Sequence, residues 1–281
     1  MDWNKTTTIL ITAFIILNIF LFSTSFNNIF SDEYNVTSDK EFIEKVESIL
    51  KEKNIIIKDE LPDETYMLPI LDTEYEIIHI NTELLIRFLG PGVEPIDDVT
   101  LYSNNNNQVL EIKEGKKIHF TAREKVAGNI SSDSINEYIE KFIEEKKIDA
   151  TGYSENFRHA SDDRLFISYT KKFDSFSIDN SYMYFYFDKE GIYEFEMQNI
   201  SVVKETADKT RTFSAIEALP RLSSFENIEN KEIIDVEMTF YSEEDDNWQF
   251  IYGINSYPVW KVIFNDGTHK HLSTISSYNI D

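Results

Sequence analysis

Between Lys5 and Asp32 the chain carries no charged residue, and the stretch from Thr6 to Phe26, TTTILITAFIILNIFLFSTSF, is almost wholly apolar at its centre. Its 21 residues, wound at about 1.5 Å per residue, make a helix of roughly 30 Å, the thickness of a bilayer's hydrocarbon core. We expect a single N-terminal transmembrane helix over 6–26. Positive residues stay on the cytoplasmic side; Lys5 precedes the run, and Asp32 and Glu33 follow it. Residues 1–5 are therefore expected in the cytoplasm and the C-terminal part outside, in a single-pass protein of the cell membrane surrounded by its lipid. The competing reading is a cleaved secretory signal, whose apolar region runs roughly 7–15 residues and ends in an A-x-A-like site. Ser23, Thr24 and Ser25 are small, but no Ala follows the apolar run, which favours the uncleaved anchor.

Charge narrows what the outer part can bind. Setting aside Lys5 and Asp2, it holds 26 Lys and Arg against 50 acids, so it carries the whole net charge of -24. Such a surface repels phosphate backbones, which excludes nucleic acid as a partner, and keeps the domain soluble. The chain has no cysteine, so an exported domain must hold together by core packing without disulfides.

After a linker over 27–37, the pattern is a helix followed by strands, then the same again. Ser38 and Glu41 have the spacing of a capping box and precede an amphipathic helix carrying Phe42, Val46, Ile49 and Leu50, to about Lys53. Pro62 and Pro69 bound a connection, and strands are predicted over 75–80, 84–89, 99–103, 109–113 and 117–122. Glu114-Gly115 is a tight turn between the last two, and Asn104 to Asn107 an exposed loop. Ser134 and Glu137 repeat the capping box before Ile135, Tyr138, Ile139, Phe142 and Ile143. Strands follow over 164–172, 181–188 and 192–200, with Gly191 in the hairpin loop. In the last of these, Tyr193, Phe195 and Met197 alternate with Glu194, Glu196 and Gln198, the pattern of a sheet wet on one face. A short helix over 213–222 is kinked or ended by Pro220. Strands over 231–242, 247–253, 259–264 and 268–273 complete the chain, and Asp266-Gly267 signals a type I′ hairpin. The fold class is α+β, a helix packed on antiparallel sheet and repeated, in two extracellular domains over 38–127 and 128–281.

No P-loop, G-x-G-x-x-G, H-E-x-x-H or G-x-S-x-G motif occurs, and there is no thiol nucleophile. The residues single out no catalytic site and no cofactor. His79, His119 and His159 have no local partner arrangement and read as packing or surface residues. His269 and His271, two apart on a strand, point to one face and so could share a metal, but a zinc site needs a further ligand that the local sequence does not supply; no metal is assigned. Glu243 to Asp246 lacks the spacing and glycine of a calcium loop.

Within the apolar run, Asn18 is the residue that most asks for a partner, because a side-chain amide in hydrocarbon gains about 1 kcal/mol from a hydrogen bond across a helix interface. At 100° per residue it shares a face with Thr7, Ile11, Phe14, Ile15 and Phe22. That face is the candidate for docking a second transmembrane helix.

The opening MDWNKTTTILITAFIILNIFL resembles the start of the YycI (WalI) family, in which M-D-W-x-K-T leads into one membrane helix with an internal Asn. Asp2, Trp3, Lys5, Thr6 and Asn18 are the matching positions; Thr7, Thr8 and Thr12 depart from more apolar family sequences. FSAIEALPRL and YPVWKVIF are compatible with the family's outer part. The resemblance implies a non-enzymatic regulator in Gram-positive bacteria. Such a protein acts with a YycH-like partner on a sensor histidine kinase of the WalK (YycG) type and so on cell-wall metabolism. It also implies two outer α+β domains related to those of YycH. Two alternatives are an anchored cell-wall hydrolase and an extracellular peptide- or protein-binding module, the latter because YPVWKVIFNDGT looks somewhat like a PepSY unit; a free sheet edge or a groove lined by Tyr257, Trp260 and their neighbours would favour that module.

Overall fold

The computed structural model describes residues 40–58, 61–96, 100–122, 134–161, 163–243 and 253–275. The expected membrane helix and the linker after it lie outside these, and among the described residues no helix is long and apolar enough to cross a membrane. The chain divides after Glu47. Of the first unit, 40–47 are described, the opening turns of helix α1, Lys40–Glu52, which is the expected amphipathic helix. Its expected cap, Ser38, falls outside the described residues.

The second unit is built on one mixed sheet of fourteen strands. They are β1 Ile56–Ile57, β2 Met67–Tyr75, β3 Glu94–Pro95, β4 Leu101–Ser103, β5 Val109–Lys113, β6 Lys117–Thr121 and β7 Tyr153–Ser161. There follow β8 Arg164–Phe173, β9 Phe176–Asp188, β10 Gly191–Gln198, β11 Ile200–Arg211, β12 Glu232–Tyr241, β13 Gly253–Phe264 and β14 His269–Ser273. The helices among them are α2 Thr82–Leu89, α3 Ile135–Glu145 and α4 Ala215–Ala218, the last continued by a 3-10 turn over Leu219–Ser224.

Strand β9 is the spine. It pairs antiparallel with β8 along its length and with β10 from Tyr182 to Asp188, and near its start parallel with β12 through Ser177–Thr239 and Ile178–Phe240. Alternation along a strand sends Met183, Phe185 and Phe187 to one face and Tyr182, Tyr184 and Tyr186 to the other. The first set is buried with Phe195, Ile118, Phe120 and Leu110 beneath Leu84 and Phe88 of α2 and Ile135 and Ile139 of α3. The start of β9 enters a second core, where Ile178 meets Leu71, Tyr75, Ile200 and Phe240. The boundary expected at 127/128 falls in the undescribed stretch 123–133. Strands on its two sides pair: β6 with β10, and β2 with both β11 and β13.

Several elements differ from expectation, each for an identifiable reason. Residues 84–89, read as a strand, form helix α2. A short apolar run such as LLIRFL fits either state, and the caps decide it: Asn81 Oδ1 accepts the Leu84 N–H at 2.9 Å, and Gly90 donates to the Ile86 carbonyl at 2.8 Å. Pro69 lies inside β2, not in a connection, and sits at an irregularity in the pairing with β11 where its missing N–H breaks no regular ladder. Strands β7 and β11 lie outside the expected set; YSENFRHAS, and ISVVKETADKTR beyond its opening ISVV, are largely polar edge sequences with no apolar alternation to read. Ser134 makes no side-chain cap to α3. The reciprocal box lies instead at α4, where the Glu217 carboxylate accepts the Ser214 N–H at 2.7 Å and its hydroxyl at 2.8 Å. Pro220 ends α4 as expected, entering the 3-10 turn at its start.

Glu114 and Gly115 both have positive φ, 51° and 64°, the type I′ geometry. The β13–β14 hairpin is not type I′ as expected. Its loop is 265–267, closed by the Gly267 N–H on the Phe264 carbonyl at 2.9 Å, and Gly267 alone of the three has positive φ, 80°. This is a type I turn followed by a left-handed residue. A Cβ there meets only His159 Cδ2, at 3.9 Å, so Gly267→Ala brings backbone strain without a clash. The expected cost is about 1 kcal/mol, read as a melting temperature lower by roughly 2–4 °C.

Candidate functional site

Three neighbouring strands place charged side chains in one row. Glu237 on β12 lies opposite Lys261 on β13, and Lys261 lies opposite His271 on β14. Direct cross-strand partners share a face, so the three stand together. Asp179, from the spine strand β9, completes the group: its Oδ1 accepts from Lys261 Nζ at 2.7 Å and its Oδ2 lies 2.6 Å from His271 Nε2. The Lys261 and Asp179 side chains are 5% and 2% exposed, so this is a buried ion pair. Glu237 Oε1 is 3.8 Å from Lys261 Nζ and accepts from Asn156 Nδ2 at 2.8 Å. Asn156 in turn accepts from Lys172 and Ser177.

Burial and pairing oppose each other here, and pairing decides the charges of the central two. Burial pushes the Asp179 carboxyl up, but Lys261 first and His271 next hold it far below the usual range, so it stays ionised. Burial works against the Lys261 ammonium, yet Asp179 and Glu237 raise its pKa. For Glu237 burial wins over Lys261 and the pKa rises. His271 is lowered by burial, more than Asp179 raises it, and stays a neutral imidazole at pH 7. Its ring stacks on Tyr241 with centroids 3.7 Å apart.

Above this network lies a cleft of about 350 Å³, walled by Tyr182, Tyr184, Tyr241, His269 and Phe225 with Glu243 on its rim. A hollow of similar size, about 370 Å³, lies beside α2, and neither group of clustered ligating side chains among the described residues lines it. Asp179 has both oxygens engaged, so the network is not poised as a base and nucleophile; it ties β9 to β13 and β14 and floors the cleft.

A scan for related families matches the YycI protein family over residues 33–275. The chain belongs to the YycI family. Among solved structures this YycI-family chain is similar to YycH from Bacillus subtilis, with 15% identity and a TM-score of 0.53. The match covers 78% of this chain and 54% of that one, so the chain spans about half the length of YycH. At this identity the likeness is one of fold, and it accords with the expected α+β class. An uncharacterized protein from Eubacterium rectale ATCC 33656 is also similar, at 11% identity and a TM-score of 0.47, over 85% of this chain and 99% of that one. No curated protein matches.

The residues of the expected helix-docking face, Thr7, Ile11, Phe14, Ile15, Asn18 and Phe22, lie outside the described residues. His269 and His271 share a face as read, and Asp179 from β9 brings a carboxylate within 4.8 Å of their ring nitrogens. His119 does have partners, which local sequence could not show. It stands between Glu111 on β5 and Glu196 on β10, with Glu194 Oε1 2.9 Å from its Nε2. His159 stacks on Phe157, and His79 is exposed. Tyr257 and Trp260 do not line one groove: three residues apart on a strand, they face opposite ways. Trp260 is buried, its Nε1–H donating to the Phe213 carbonyl at 2.9 Å.

Proposed function

We propose that this YycI-family chain is a non-enzymatic, membrane-anchored regulator of a WalK/YycG-type sensor histidine kinase, acting with a YycH-like partner in the control of cell-wall metabolism. The family match over 33–275 carries this reading, and the shared fold with YycH supports it. The charge-free run Thr6 to Phe26 supplies the anchor, and the face bearing Asn18 the contact. On this reading information reaches the cell interior through a neighbouring membrane helix. A ligand or partner outside shifts that helix assembly only by its differential affinity for the two arrangements.

Exchanging Thr6 to Phe26 for an unrelated transmembrane helix is expected to abolish co-purification with the kinase and change the output of its regulon. Asn18→Leu is expected to weaken the association by roughly fivefold, the equivalent of about 1 kcal/mol. Full association and unchanged output after the helix exchange contradict the proposal. The hydrolase alternative draws no support from the clamped Asp179, and the buried Trp260 does not join Tyr257 in a groove of the kind that would favour the binding-module alternative.

A further inference from the structure

We infer that Asp179, His269 and His271 form a binding site for a divalent transition metal, zinc being the best fit, at the floor of the cleft walled by Tyr182, Tyr184 and Tyr241. This inference is independent of the kinase reading. Two imidazoles and a carboxylate are the donor types zinc takes, and three protein ligands with one open position are a recurrent zinc arrangement. The three ligand atoms lie within 4.8 Å of one another. Tetrahedral zinc sets its ligand atoms about 3.3 Å apart. To admit the ion, the 2.6 Å contact between Asp179 Oδ2 and His271 Nε2 opens by roughly 0.7 Å and His269 closes in by up to roughly 1.5 Å. His271 then carries its proton on Nδ1 and remains neutral.

The surroundings already resemble the outer shell that such a site needs. Asp179 binds the ion through Oδ2 while Oδ1 stays on Lys261 Nζ at 2.7 Å, so the carboxylate's orientation is fixed by a partner outside the coordination sphere. Tyr241 fixes the plane of the His271 ring. His269, exposed at the cleft, completes the set from the solvent side, and the cleft of about 350 Å³ leaves room for water in the fourth position. The Lys261 and Lys172 ammonium groups repel a cation, and Asp179, Glu237 and Glu243 oppose them. The other basic groups of the cleft, Lys117 and Lys270, lie over the Tyr182 and Phe225 rings.

His119 with Glu194 and Glu196 is the other ligating group among the described residues, and it serves as the internal control. The full chain, purified in detergent and freed of metal by chelation, is titrated with Zn²⁺ by calorimetry and with Co²⁺ by visible absorption. The expected result is one equivalent bound with tetrahedral Co²⁺ bands. His269→Ala, an exposed change that leaves the fold intact by circular dichroism, is expected to weaken binding at least about 100-fold, beyond the usual effect of an outer-shell change. Asp179→Asn is expected to do the same, and His119→Gln to leave binding unchanged. Absence of stoichiometric binding, or binding that survives His269→Ala, or binding lost in His119→Gln instead, overturns the assignment.

Discussion

Lys261→Met is expected to lower stability by about 3–5 kcal/mol, because it strands a buried carboxylate. For a domain of this size that is a drop in melting temperature of roughly 6–20 °C, measured by calorimetry or by circular dichroism. Asp179 is fully enclosed, its two oxygens are taken by Lys261 and His271, and Lys261 is itself enclosed. Removing both charges is expected to be less damaging than removing one, so Asp179→Asn with Lys261→Met should be more stable than Lys261→Met alone. A double variant as unstable as the sum of the singles contradicts the clamp. The acid limb gives a second readout. The Asp179 carboxyl is held below its unfolded value, so its contribution is fully present above about pH 4 and fades as pH falls below that. In Lys261→Met the folded pKa rises and that acid-dependent stabilisation shrinks.

Phe185→Ala is expected to cost about 3–5 kcal/mol, as truncation of a fully buried aromatic does. Phe185 lies on the spine strand with no exposed surface, its ring 5.9 Å from Phe142 of α3, 4.9 Å from Phe195 of β10 and 5.8 Å from Tyr169 of β8. One side chain thus ties a helix and two neighbouring strands together, and the cavity left behind has rigid walls that cannot close over it. Ile139→Val, in the same core, removes one methyl group and is expected to cost about 0.5–1.5 kcal/mol. Urea unfolding of the two variants separates these magnitudes, and equal losses contradict the placement of Phe185 at the centre.

What could be read in advance followed the physics of each signal. The helices α1 and α3 and the strands β5, β6, β8 and β10 came from apolar periodicity, which reports one buried face directly. The strand β9 was seen only from 181 on, because FSIDN, its first turn into the second core, mixes Asp and Ser with Phe and Ile. Helix α2 was misread because an apolar run of six residues has no period of its own, and the deciding information sat in Asn81 and Gly90. The row Glu237, Lys261, His271 was invisible for a different reason. Local spacing pairs His271 with His269 alone, and only the register of three strands, with β9 crossing to deliver Asp179, brings the group together. Register is set by packing, and nothing local to DVEM, VWKV or HKH declares it.

The regulator reading depends on a neighbour's helix lying against Asn18. Photo-crosslinking from a reactive residue placed at position 18 of the full chain, in intact membranes, tests this most directly. The account predicts an adduct with the sensor kinase or the YycH-like protein, lost when Thr6 to Phe26 is exchanged. Adducts with lipid alone, or recovery of the mature chain from the medium cut near Ser25, contradict it.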